Sequence, residues 1–178
     1  MTKSTTELLI RPERADDIPV IDALVTDAFG RELEAEVVAK LRASTGFLSG
    51  LSLVATESGV VVGHIMITTL SYQSDAGEQL ETTILAPLAV APTHQNQGIG
   101  DALSRAAIDR TREAGFRSMI LVGHPTYYPR FGFRPASTWG LRYSSPIPDE
   151  VFMAQELIPG ALADAAGTIY LPSAFDGA

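Results

Sequence analysis

Two glycines in the stretch Gln95-Asn96-Gln97-Gly98-Ile99-Gly100-Asp101 separate an apolar run, residues 84–91, from a long amphipathic segment. First-turn N–H groups of a helix lack intrahelical partners and sit at the positive end of its dipole. Glycines at that point let a phosphate approach the backbone with no Cβ in the way. The stretch therefore reads either as an anion cradle or as a turn that merely begins a helix. It is not a P-loop, because no Lys-Ser/Thr pair follows the second glycine. A dinucleotide fingerprint fails too: Leu103 stands where a third small residue is required, and residues 118–124 contain no acidic side chain.

Other chemistries are excluded by what is missing. The chain has no cysteine, which removes disulfides, thiolate metal sites and a cysteine nucleophile. His64, His94 and His124 match no zinc spacing, so no metal site is expected. His64 alternates with apolar neighbours in "VVVGHIMI" and reads as a core histidine. A formal net charge of -8 argues against nucleic-acid and anionic-membrane partners, while leaving local anion binding by backbone amides open. The N-terminal apolar stretch, Leu8 to Ile10, is too short for a signal peptide, and no apolar run approaches the ~18 residues of a membrane span. A soluble cytoplasmic protein is the expectation.

The elements that must position the elbow follow from periodicity. A short strand ends at Pro12, and a helix begins with Asp16 or Asp17 as N-cap and carries Ile18, Ile21, Leu24, Val25 and Phe29. A second helix after Gly30 has Leu33, Val37 and Leu41 on one stripe. Two β-rich runs flank a hairpin signal at Glu57-Ser58-Gly59. The next strand contains Pro87, which either interrupts or bulges a central strand or marks an edge strand. The helix opened by Gly98 ends at Gly115, and residues 116–123 form a continuously apolar, buried strand. The order β-αα-βββ-α-β-α-ββ describes a mixed-sheet α/β domain over residues 1–178, with a core near 7–136 and a C-terminal extension over 137–178.

The segment "LAVAPTHQNQGIGDAL", followed by "YYPRFGF", resembles the two signatures of the GNAT superfamily of N-acetyltransferases, in their order, and "GHPTYYPRFGF" is similar to its YhbS-like branch. The resemblance implies a GNAT-like acyl-CoA N-acyltransferase fold with splayed central strands and acetyl-CoA as cosubstrate. It implies that the backbone of Leu88, Ala89 and Val90 pairs with the pantetheine arm. It places the diphosphate on the amides of Gln95, Asn96, Gln97, Gly98, Ile99, Gly100 and Asp101, with the Gln95 side chain adding a hydrogen bond and Ile99 packing beneath the helix. Tyr128 falls on the family's general acid, Tyr127 reads as core, and Glu81 falls where relatives keep a base. The family's pantetheine-binding asparagine is missing, since Asn96 is the only asparagine. His124 or Thr126 could replace it, and His124 could equally cap a strand end. Glu32, Glu34 and Glu36 could bind a cationic acceptor, or form a solvated helix face. The implied activity is acetyl transfer to a small-molecule or peptide amine, the alternative being a non-catalytic acyl-CoA-binding module. The last strands could pair across a homodimer interface.

Overall fold

A computed structural model describes residues 7–178. The start of the signal-peptide reading, residues 1–6, lies outside the described residues. The first strand, β1 (Leu8–Pro12), leads through a 3-10 turn into α1 (Ile18–Phe29) and α2 (Leu33–Arg42). Asp17 holds the N-cap position of α1, but its side chain does not cap. The carboxylate is taken instead by the Arg11 guanidinium at 2.6 and 2.9 Å and by the Arg14 amide at 2.7 Å. Gly30 ends α1 in the left-handed region, its amide bonding Thr26 O.

A meander follows: β2 (Phe47–Glu57), β3 (Val60–Gln73) and β4 (Gln79–Val90). The β2–β3 turn needs two residues with positive φ, and Ser58 (49°) and Gly59 (80°) supply them. Then come α3 (Ile99–Glu113) and β5 (Ser118–Val122). The fourth helix expected after β5 is a 3-10 turn, Tyr128–Phe131, because Pro129 and Gly132 leave too short a segment for α-helix. Four short strands succeed it rather than two: β6 (Arg134–Pro135), β7 (Leu141–Tyr143), β8 (Phe152–Glu156) and β9 (Gly167–Ile169).

The main sheet runs β1-β2-β3-β4-β5-β8-β6, and β7 and β9 form a separate parallel pair. Alternation along the strands sorts the core onto two faces. Leu53, Ile65, Ile67, Leu85, Met119 and Leu121 pack with Ile99, Leu103 and Ala107 of α3. On the other face Val54, Met66 and Ala89 pack with Ile21, Val25, Val37 and Leu41 of α1 and α2. Farther along that face, Leu70, Ile84 and Ile120 pack beneath the C-terminal extension through Leu141, Leu162 and Ile169.

The break foreseen at Pro87 is a bulge in an interior strand. Ile65 pairs with Leu88 and Ile67 with Leu85, so Ala86 and Pro87 together oppose Met66. The extra residue lets Leu85 and Leu88 both face α3 although they are three positions apart. On its other side β4 pairs with β5 only at Thr83↔Met119 and Ile84↔Ile120. Beyond that point the strands part, and β5 continues its ladder with β8 out to Val122↔Phe152.

Candidate active site

The parting of β4 from β5 opens a cavity of about 980 Å³. Its walls include Leu88, Ala89 and Val90 from the strand after the bulge, and Gln95, Asn96, Gly98, Gly100 and Asp101 from the elbow. Gly123, His124, Tyr127, Tyr128 and Arg130 close it on the β5 side, while Phe29, Glu34 and Val37 enter from α1 and α2. Since α3 and the α1–α2 pair cover opposite faces, the cavity is reached from both faces of the sheet. Gln97 and Ile99 are not in its walls. Gln97 donates its side-chain amide to Thr93 O at 3.1 Å, and Ile99 is 2% exposed under the helix.

Backbone shape makes the elbow. Asn96 (φ 59°) and Gly98 (φ 83°) both occupy the left-handed region, and Gly98 is the N-cap of α3. No side chain caps the helix start, so its first amides are left to another partner. The Gln95 side chain is turned back, donating to Val90 O at 3.1 Å. At Gly100 a Cβ would stand 2.9 Å from the Tyr127 hydroxyl and 3.8 Å from Leu88 and Val90 methyls.

Tyr127 does pack against the core on the α3 side, but that contact adds a place in the site which the core reading did not include. Its ring is half-buried in the cavity wall with its hydroxyl beside the elbow. Burial, then a hydrogen bond to the Asp101 carboxylate, raise its pKa. Arg130 lies over the ring at 4.6 Å, bonds Tyr127 O through Nε at 2.9 Å, and reaches Asp101 Oδ1 at 3.5 Å. Among the described residues that line the cavity, Arg130 is the lone arginine or lysine. The elbow itself holds no cation, so the positive charge arrives from the far side of the opening. The signal was available in "YYPRFGF", where Arg130 stands two residues after Tyr128.

Tyr128 packs edge-on against Tyr127 at 5.0 Å and Phe133 at 5.9 Å, beneath the bare backbone of Gly123, where a Cβ would fall 2.5 Å from the ring. Burial, helped by the neighbouring Tyr127, pushes its phenol up to about 12. It is therefore protonated at neutral pH and able to donate. Phe131 and Phe133 are buried. His124 and Thr126 are exposed, and the His124 carbonyl accepts the Tyr127 amide at 3.1 Å.

Two expectations about carboxylates change. Glu81 is exposed near the start of β4 opposite Ser71, before the strands part, and does not line the cavity. It stands two residues before the β4–β5 pairing at Thr83, outside the residues that line the cavity. The three glutamates of the second helix separate: Glu32 and Glu36 line a shallow outer groove between α1 and α2, whereas Glu34 is 8% exposed and lines the main cavity. His64 is fully buried, as expected of a core histidine. Its Nε2 lies 3.0 Å from Ser52 Oγ and 3.3 Å from Glu13 Oε2. No group of histidine, cysteine, aspartate or glutamate side chains suited to a metal occurs among the described residues.

A mixed sheet parted between its fourth and fifth strands, with a helix opened by glycines beside the parting, is the architecture of acyl-CoA-dependent acyltransferases. The sequence profile of the Acetyltransferase (GNAT) domain matches residues 9–136. The chain is 40% identical over 137 residues to the N-acetyltransferase YjhQ of Escherichia coli strain K12, covering 76% of this chain and 74% of that one. It is 36% identical over 163 residues to the N-acetyltransferase YhbS of the same strain, covering 91% and 95%. The crystal structure of E. coli YhbS in complex with CoA superposes with a TM-score of 0.88 at 31% identity, covering 99% of this chain and 96% of that one. A GNAT family acetyltransferase from Brucella melitensis in complex with acetyl-CoA gives 0.69 at 32% identity, over 86% and 90%. The chain belongs to the GNAT family of acetyltransferases.

Proposed function

We propose that this protein transfers the acetyl group of acetyl-CoA to a primary amine by direct attack within a ternary complex. The observation that carries this reading is the cavity itself. It joins a side-chain-poor helix start on one face of the sheet to a separate entrance on the other, with a neutral, buried phenol between them. The fit to a thioester of a long diphosphate-bearing carrier is local: bare amides at Gly98 to Asp101 for the diphosphate, and β4 backbone freed by the parting for the amide-containing arm. Tyr127 and Arg130 flank the diphosphate end, and Arg130 supplies the charge that the elbow lacks.

In the reaction the amine, having lost a proton to solvent, attacks the thioester carbonyl carbon. Backbone amides of β4 after the bulge hold the developing oxyanion. The carbon–sulfur bond breaks as Tyr128 gives its proton to the departing sulfur, and the phenolate recovers one from the proton released by nitrogen. Net, the alkylammonium and acetyl-CoA become an amide, CoA thiol and one proton. With no cysteine in the chain, no thioester-linked enzyme intermediate forms.

Calorimetric titration of CoA into the folded protein tests the first half. One-to-one heat is expected, and its absence would remove the reading. Thiol release from acetyl-CoA on adding primary amines tests the second half, which fails if CoA binds and no amine is acetylated.

A further inference from the structure

We infer that the cavity carries a subsite for one ammonium group attached to an apolar carrier, built around Glu34 and reached from the α1–α2 face. This rests on the acetyltransferase reading and specifies its acceptor. On the α3 side the walls are β4 backbone, the polar elbow with Asp101, the two tyrosines and Arg130. On the other face they are Ala28 and Phe29 from the end of α1, Glu34 and Val37 from α2, and Phe175 and Ala178 from the segment beyond β9. Three of these side chains are hydrocarbon, two are methyls, and one is a carboxylate.

The position of Glu34 follows from helix geometry. It stands three residues before Val37, one turn up the same face of α2. Val37 packs in the cluster that contains Ala89 of β4, so Glu34 overlooks the strand that lines the parting. The Glu34 side chain is only 10% exposed, and its present partner is the Arg31 guanidinium, whose Nε lies 3.0 and 3.1 Å from the two carboxylate oxygens. Arg31 is itself 57% exposed and free to swing into solvent. A carboxylate accepts about four hydrogen bonds, so an ammonium can join or displace that guanidinium. The cost of burying that carboxylate is offset at present by Arg31, and an ammonium that displaces the guanidinium offsets it in turn. An incoming ammonium therefore finds both charge and geometry prepared.

The wall also discriminates. A diamine would need a second anion, and the other aspartate or glutamate side chain in the cavity wall, Asp101, lies at the diphosphate end beside Arg130. An amino acid would bring its own carboxylate towards Glu34, where the nearby Arg31 guanidinium is already engaged by Glu34. A monoamine on an aryl or alkyl group matches: ammonium on Glu34, apolar body between Phe29 and Phe175.

The test uses 2-phenylethylamine, putrescine and glycine as acceptors, read by thiol release, with calorimetry of 2-phenylethylamine into CoA-saturated protein. The expected order has kcat/KM for 2-phenylethylamine at least tenfold above either competitor. Glu34→Gln should raise its KM more than tenfold while leaving CoA affinity unchanged, and Glu34→Asp should recover part of the loss. Arg31→Gln, which removes the competing cation, should lower KM instead. Phe175→Ala should narrow the preference over putrescine. Equal KM in wild type and Glu34→Gln, or putrescine or glycine preferred, overturns the subsite. So does CoA binding with no binding or turnover of 2-phenylethylamine. A protein that binds no CoA sinks the acetyltransferase reading first, and that result is told apart by its heat trace alone.

Discussion

In the proposed reaction, Tyr128 is the side chain on which the chemical step turns. A phenol held near 12 by burial stays protonated across the physiological range and so faces the departing sulfur as a donor. Tyr128→Phe keeps the ring against Phe133 and removes the proton. We expect kcat to fall about 10–100-fold with little change in CoA affinity. Steady-state kinetics with calorimetry separates the two, and unchanged turnover would take Tyr128 out of the mechanism. Arg130 predicts the complementary pattern. Arg130→Gln should weaken CoA binding about tenfold, flatten its dependence on salt and leave kcat nearly unaltered. Equal salt slopes for the two proteins would disprove the role. The glycine elbow was readable because its spacing is local and its neighbours are contiguous. Tyr127 was misread for a specific reason. Adjacent residues in an α-helix face different ways, whereas the tight turn around Pro129 brings both tyrosine rings to the same opening, 5.0 Å apart.

At the scale of elements, the site depends on how closely α3 sits on β3. Gly63 makes that approach possible: a Cβ there would fall 2.8 Å from Leu103 Cδ1 and 3.1 Å from Ile99 Cγ2. Gly63→Ala must lift the helix start or displace two fully packed side chains, at a cost of about 1–3 kcal/mol. Denaturant unfolding should show that loss, and CoA affinity should drop with it because the elbow moves with Ile99. Normal stability with normal affinity would mean the helix tolerates the methyl. The long meander and the interruption at Pro87 were legible from β-rich runs and a proline that cannot donate. The parting of β4 from β5 was expected only through family resemblance. The insertion of β8 between β5 and β6 left no trace in the sequence, because five residues of alternating pattern do not say which edge they join. The helix expected after β5 failed for a local reason: Pro129 and Gly132 confine it to one turn.

Across the whole molecule, the balance of buried charge sets an acid limit. Burial alone would raise the Glu13 carboxyl, but hydrogen bonds from His64, Arg42 and Ser52 outweigh it and hold it at about 2. The distances are 2.7 Å to Arg42 Nε and 2.6 Å to Ser52 Oγ. His64, lowered by burial against the pull of Glu13, stays neutral. Since Ser52 gives its proton to Glu13, His64 donates through Nε2 and keeps a buried, unpartnered lone pair at Nδ1. Both groups act in one direction. The unfolded chain protonates His64 below about pH 6.5 and Glu13 below about 4.5, each above its folded value. Stability should thus be full above pH 6.5, begin to fall below it, and fall more steeply from 4.5 towards 2. Glu13→Gln should cost about 3 kcal/mol at pH 7 and blunt the lower part of that limb. Thermal melts across the range check the sign, and melting temperatures that rise on acidification would refute it. The composition foretold an acidic protein, but not this cluster, whose members come from α2, β2, β3 and the connection after β1.

The ladder between β5 and β8 ties Ser118 to Glu156 and Val122 to Phe152. During synthesis, β5 emerges long before its antiparallel neighbour exists, while β4 can cover it at only two positions. A nascent chain stalled near residue 136 therefore displays a raw, strongly apolar strand margin, the kind of surface that recruits chaperones or sticks to itself. Completion of the sheet must wait for Phe152–Glu156, so one wall of the cavity goes unsupported until well after its residues 85–130 have been made.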